Sequence, residues 1–136
     1  MTKAQVATEY LIIVVVGLLI LIPIVVYLND VYISYKDESK VSSAKLTINK
    51  LVSLTNWVYS QGEPARATLL IYIPDGVESI DFSGKMISFR IKTKSGFVDI
   101  SENTLTSVDG YLPIQSGYYN VLVSAVNNTV KITVIK

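Results

Sequence analysis

The first 60 residues of the chain show two hydrophobic patterns, one after the other. Residues 10–28 form an uninterrupted apolar run of 19 residues without a charged side chain. From residue 31 to about residue 59, apolar and small side chains instead recur at spacings of three and four, at Val41, Ala44, Ile48, Leu51, Thr55 and Val58. An all-round apolar run is typical of a helix in lipid or inside an assembly, and a stripe predicts an amphipathic helix packed on a domain.

The apolar run has the length of a membrane-spanning helix. Nineteen helical residues cover roughly 28 Å, close to the hydrocarbon thickness of a bilayer. Pro23 lies inside the run, where it removes one helical hydrogen bond and predicts a kink. The striped part predicts a continuation of the same helix, over residues 5–60, with Gly62 and Pro64 as stop signals. A break near Asn29 and Asp30 is the alternative.

Beyond Pro64 apolar and polar residues alternate with a period of two. Candidate strands cover residues 66–73, 77–82, 85–93, 97–100, 118–126 and 129–135. Short turns rich in Gly, Pro, Asp and Asn separate them and predict antiparallel neighbours. Residues 101–117 predict a surface loop with a short strand near Tyr111 and Leu112. The predicted fold class is α+β: a long N-terminal hydrophobic and amphipathic helix, then an antiparallel β sheet or small β sandwich over residues 65–136.

Two ordinary explanations compete for the apolar run. A secretory signal peptide has a shorter apolar core followed by a small-residue cleavage site, and no such site follows Leu28. A single-pass anchor fits better, and Lys3 with the amino terminus places the N-terminus in the cytoplasm and the C-terminal bulk outside. Glu9, at the edge of the run, fits the headgroup region near the positive end of the helix dipole without any further role.

Composition excludes several classes of chemistry. The chain has 136 residues, a net charge of +1, no cysteine and no histidine. It therefore lacks the residues for thiol catalysis, disulfides, histidine-based triads and the common zinc sites. From Gln61 onward basic and acidic side chains are equal in number, which gives nucleic-acid binding little electrostatic support. Paired carboxylates and phosphate-binding glycine loops are missing from the sequence, so we expect no enzyme activity, cofactor or metal.

Two polar features of the β region have alternative interpretations. Asp75, Asp81, Asp99 and Asp109 are scattered between predicted strands and indicate turns or solvated faces, with an oxygen-ligand calcium site as the alternative. The sequence Asn-Asn-Thr at residues 127–129 makes Asn127 a candidate N-glycosylation site at a hairpin tip. The same Asn-Asn pair also suits the positive φ angles of a type I′ turn.

The residues around Glu9 carry a family resemblance. Residues 5–11, Gln-Val-Ala-Thr-Glu-Tyr-Leu, resemble the class III signal peptide of archaeal type IV pilin-like proteins, whose pattern is roughly Gln-x-Ser-x-Glu-Tyr-Leu after a short basic leader. The resemblance implies that residues 1–4 are a leader and that a prepilin peptidase cuts between Ala4 and Gln5. Ala4 stands where glycine is most usual, and Ala7 replaces the serine. The hydrophobic segment lies after the cut and is retained.

The resemblance also implies a function. Glu9 would pair with the α-amine of a neighbouring subunit and set the axial register of a filament. The chain would be a structural subunit of an archaeal adhesion pilus, with itself or other pilins, the peptidase and the assembly machinery as partners. It would reside in the cell membrane as a precursor and in an extracellular pilus afterwards. The alternative is a membrane-anchored extracellular β domain, a binding module or minor pilin, that does not form the filament body.

Overall fold

The structure, a computed structural model, describes residues 2–135. Within them one helix is followed by seven strands: α1 Lys3–Gln61, β1 Arg66–Ile73, β2 Val77–Ser83, β3 Met86–Thr93, β4 Gly96–Asn103, β5 Val108–Gly110, β6 Gly117–Val126 and β7 Thr129–Ile135. The chain divides into two compact units, Met1–Lys36 and Asp37–Lys136. The predicted α+β class, with a long apolar N-terminal helix, is confirmed.

Helix α1 continues through Pro23 and through Asn29 and Asp30, so the break considered at Asn29 and Asp30 does not occur. The helix begins two residues before the expected start and ends one residue after the expected end. At its end the N–H of Gly62 donates to the carbonyl of Tyr59 at 3.1 Å, and Gly62 has a φ of 72°. A glycine in the left-handed region is the usual residue after a helix, because it satisfies terminal carbonyls without a Cβ clash.

The striped half of α1 contributes one face to the core of the unit Asp37–Lys136. Its buried residues are Ala44, Thr47, Ile48, Leu51, Thr55 and Val58. This confirms the predicted stripe, except that Val41 is half-buried and Thr47 is an additional member. The sheets supply the largest buried side chains of the rest of this core, including Ile71, Ile73, Ile87, Phe89, Ile91, Val121, Val123, Val130 and Ile132. Each such side chain contributes roughly 1.5–3 kcal/mol on burial, so this face holds α1 on the sheets.

The strands form a four-stranded sheet of order β1-β6-β7-β5 and a three-stranded sheet of order β2-β3-β4. The predicted hairpins β2/β3, β3/β4 and β6/β7 are present. The expectation that β1 and β2 are neighbours is wrong, since they lie in different sheets. The whole of β1 pairs with β6 instead. In the turn between β1 and β2, the carbonyl of Gly76 accepts a hydrogen bond from the N–H of Lys92 in β3 at 2.8 Å. This bond places the start of β2 beside β3 instead of beside β1.

Strand β5 lies three residues before the predicted position and makes the four-stranded sheet mixed, because it pairs in parallel with β7. Gly110 pairs with Ile132, and a Cβ on Gly110 would lie 2.5 Å from the carbonyl oxygen of Ile132. Glycine is therefore required here by the close approach of the two backbones. Leu112, just beyond the strand, is buried in the core.

Two buried threonines on the same face of α1 differ in their hydrogen bonding. Thr47 Oγ1 donates to the carbonyl of Tyr72 at 2.6 Å. Thr55 Oγ1 is buried and has no hydrogen-bond partner among the described residues. A buried hydroxyl without a partner costs free energy, whereas a paired one is close to neutral or favourable.

We expect the same substitution at these two positions to have opposite effects. Thr47→Val should lower the free energy of unfolding by about 1 kcal/mol, because it removes the hydrogen bond to the carbonyl of Tyr72, and Thr55→Val should raise it by about 0.5–1 kcal/mol. Denaturant unfolding of the full chain in detergent measures both. Two changes of the same sign would contradict the prediction.

Candidate assembly site

The predicted cleavage bond lies in the first turn of α1. The N–H of Gln5 donates to the carbonyl of Thr2 at 3.1 Å. The hydroxyl of Thr8 donates to the carbonyl of Ala4 at 2.9 Å. Both polar atoms of the Ala4–Gln5 peptide group are therefore hydrogen-bonded, so a peptidase reaches the bond only when this turn opens. Terminal helical turns open at little free-energy cost, so this geometry is compatible with cleavage, which stays a prediction.

Glu9 is exposed on the helix surface at the start of the apolar run. Within residues 2–135 its carboxylate has no ion pair and no side-chain hydrogen bond. This carboxylate can therefore accept an ion-pair partner from another chain. The role of Glu9 in register stays a prediction.

The apolar run itself is exposed along its whole length. All residues from 10 to 28 are exposed, and α1 is long and apolar enough to cross a membrane by length and composition. Exposed apolar surface costs about 25 cal/mol for each Å² left in water. Such a surface is covered by lipid or by other protein chains, because contiguous apolar patches of this size are rare on soluble monomers.

Two polar side chains of α1 hydrogen-bond to loops that connect strands in the unit Asp37–Lys136. Asp37 Oδ2 accepts from the backbone N–H of Lys94 at 2.7 Å, and Asn56 Oδ1 accepts from the N–H of Leu105 at 2.9 Å. These contacts join residues 57 and 49 positions apart in the chain. Neither acceptor is apparent from the sequence, because hydrophobic periodicity reports burial and carries no signal for polar contacts over such separations.

The structure brings two of the scattered aspartates together, since Asp81 and Asp99 line one pocket beside Arg90, whereas Asp75 and Asp109 lie elsewhere, Asp109 on β5. Asp75 Oδ2 lies 3.7 Å from Lys40 Nζ, and Asp99 pairs with Arg90. Asp81 lies on the neighbouring strand β2. Across residues 2–135 there is no group of three or more His, Cys, Asp or Glu residues that could hold a metal ion.

The pair of Arg90 and Asp99 joins β3 and β4 on an exposed surface. Arg90 Nε and one terminal nitrogen donate to the two carboxylate oxygens at 2.7 and 2.9 Å. These hydrogen bonds hold the pKa of Asp99 below its ordinary value and raise the pKa of Arg90. The pair therefore stabilises the fold when Asp99 is ionised, that is, above the ordinary pKa of an aspartate, and loses this contribution as pH falls through the lowered pKa.

We expect Asp99→Asn to lower the unfolding midpoint of the chain at neutral pH, by a small amount because the pair is exposed. The difference from the parent chain should begin to shrink as pH falls below about 4, the ordinary pKa of an aspartate, and should vanish below the lowered pKa of Asp99, where the folded parent carboxylate is protonated as well. Thermal unfolding at a series of pH values tests this, with Asp109→Asn, an exposed aspartate on β5, as the control. A difference that grows on acidification would contradict it.

The candidate glycosylation site lies in the two-residue loop between Val126 and Thr129. Asn127 and Asn128 have φ angles of 46° and 62°, the left-handed conformation that a type I′ turn requires at both positions. The N–H of Asn127 donates to the carboxylate of Glu63, and the hydroxyl of Thr129 donates to the carbonyl of Val126 at 2.8 Å. The turn interpretation is confirmed. Asn127 is exposed, and its glycosylation stays a prediction.

Comparisons of this chain with protein-family models, with curated proteins and with solved structures find no match.

Proposed function

We propose that this chain is a structural subunit of an archaeal type IV-like adhesion pilus, processed before Gln5 and assembled through its N-terminal helix. The observation that carries the proposal is an uncharged helical run that is exposed along its whole length, residues 10–28, immediately preceded by Glu9, which has no partner within the described residues. The resemblance of residues 5–11 to class III signal peptides supports the same function.

The two environments of such a subunit explain the composition of the apolar run. Before assembly, lipid covers it, since its length matches a bilayer core. After assembly, other subunits cover it. Because the unit Asp37–Lys136 has its own buried core, that unit can remain folded in both environments.

Glu9 behaves differently in the two environments. In the membrane its place at the edge of the apolar run lets it stay among the headgroups. Inside a filament an isolated buried carboxylate costs several kcal/mol unless it is paired. Cleavage before Gln5 creates an α-amine that supplies a positive partner. A buried pair of this kind acts as a register device more than as a source of net stability.

We expect the mature protein isolated from the native cells to begin at Gln5. Intact-mass and N-terminal sequencing measure this directly. Ala4→Leu, which places a large side chain before the predicted cut, should abolish processing, while Thr2→Leu in the same leader should not. A protein that begins at Met1 and is anchored in the membrane would favour the non-assembling alternative.

We expect Glu9→Ala to leave membrane insertion unchanged and to reduce pilus yield at least about tenfold, because it leaves the buried amine without its counter-charge, a loss of about 3–5 kcal/mol. Sedimentation and electron microscopy of sheared filaments measure the yield, and membrane fractionation measures insertion. Glu38→Ala, which removes an exposed acid from α1 beyond the apolar run, is the matched control. Normal pili from the Glu9 variant would contradict the proposed role.

A further inference from the structure

The unit Asp37–Lys136 has a second apolar surface on α1, away from its core. A groove of about 460 Å³ is lined by Leu46, Asn49, Lys50, Ser53, Leu54 and Trp57 of α1 and by Leu69 of β1. We call it the Trp57 groove. The side chains of Leu46 and Trp57 are 60 % and 52 % exposed. A large exposed tryptophan in an apolar groove is typical of a protein–protein contact.

The spacing of the groove residues indicates the kind of element that fits. Positions 46, 50, 53 and 57 follow one another at intervals of four, three and four, the spacing by which one helix packs along another. They extend along about 16 Å of α1, or three turns. Ser53 has the smallest side chain of the four, so a branched apolar side chain of a partner helix can approach α1 closely between Lys50 and Trp57.

The charges identify the partner helix. Among residues 2–135, Lys50 is the one charged side chain that lines the groove, and in the sequence Glu9 is the one charged residue between positions 4 and 28. Glu9, Ile12 and Val16 follow the same spacing, three and then four, as Lys50, Ser53 and Trp57. The N-terminal end of the apolar run is therefore complementary to the groove in charge, in spacing and in the placement of large and small side chains.

We propose that the Trp57 groove binds the start of the apolar run of a second copy of this chain, with Glu9 of that copy beside Lys50. The inference rests on the proposed pilus function. Copies inserted into one membrane have the same orientation, so their helices run parallel. With Glu9 beside Lys50, Ile12 then lies level with Ser53 and Val16 lies level with Trp57.

Packing of the groove against the same groove of another copy is less favourable. In a parallel pair it would bring two Lys50 side chains together, and like charges in contact oppose association. The proposed arrangement instead gives Lys50 an acidic partner. It also gives Glu9 a second cation in addition to the α-amine of a neighbouring Gln5.

Disulfide crosslinking in assembled filaments tests the register, because the chain has no cysteine of its own. Ile12→Cys and Ser53→Cys chains, co-expressed and oxidised, should form the mixed dimer at least about tenfold more than Ile12→Cys with Lys45→Cys, since a disulfide needs Cα atoms within about 7 Å. Lys45 is exposed on α1 and does not line the groove. A Ser53–Ser53 dimer as the main product would show groove-on-groove packing and overturn the proposal.

The charge part of the proposal is tested in the same crosslinking pair. Lys50→Glu should reduce the mixed dimer at least about tenfold, because it places two carboxylates together, and Lys50→Arg should retain it. Equal crosslinking in both backgrounds would overturn the pairing of Glu9 with Lys50. A different result would contradict the proposed pilus function itself, namely that the parent chain forms no filaments at all. Filaments without the 12–53 crosslink would overturn only the present inference.

The parent chain provides an independent measurement, since Trp57 is its single tryptophan. Assembly from detergent-solubilised subunits should shift the Trp57 emission to shorter wavelength and reduce its quenching by acrylamide severalfold, because the groove becomes covered. Unchanged emission and quenching in assembled filaments would overturn the proposal even if a cysteine variant failed to assemble.

Discussion

The structure depends on one constraint: an uncharged helical surface over residues 10–28 cannot remain in water. The area cost of apolar exposure is too large for an isolated soluble chain to carry over 19 residues. Lipid and other protein chains are the two coverings that satisfy it, and the pilus subunit that we propose would use them in succession. The remaining features, Glu9 at the edge of the run and a separately folded unit behind it, are compatible with both environments.

The same helix serves two purposes because its side-chain pattern changes along its length. Its first part buries nothing within the chain, whereas Ala44, Ile48, Leu51 and Val58 are completely buried in the core of the unit Asp37–Lys136. The apolar contact alone does not specify how the helix is aligned with the sheets. The hydrogen bonds of Asp37 and Asn56 specify it, since they hold the backbone at Lys94 and at Leu105 against these two positions on α1. The opposite, exposed side of this part of α1 is then left for the Trp57 groove.

Local patterns predicted most of the strands, and long-range pairing explains the errors. Both strands of each correctly predicted hairpin carry a two-residue periodicity, and the turn between them contains Gly or Asn with positive φ at Gly84, Gly96, Asn127 and Asn128. The turn at Pro74, Asp75 and Gly76 has the same composition, yet β1 pairs with β6 some fifty residues later. Strand β5 has three residues, too few for a periodic signal, and it is defined by its parallel pairing with β7.

The sequence by itself determined the apolar run, the buried stripe of α1 and the positions of six strands, because each is local or periodic along the chain. The candidate roles of Gln5 and Glu9 came from a family resemblance, and that of Asn127 from a glycosylation sequon. Only the tertiary structure decided the division of strands into two sheets, the close approach at Gly110 and the unpaired hydroxyl of Thr55. It also brought Leu69 of β1 beside Trp57 to complete the groove. The reason is physical: these features are contacts between residues far apart in the chain, and their free energy depends on packing that no local pattern contains.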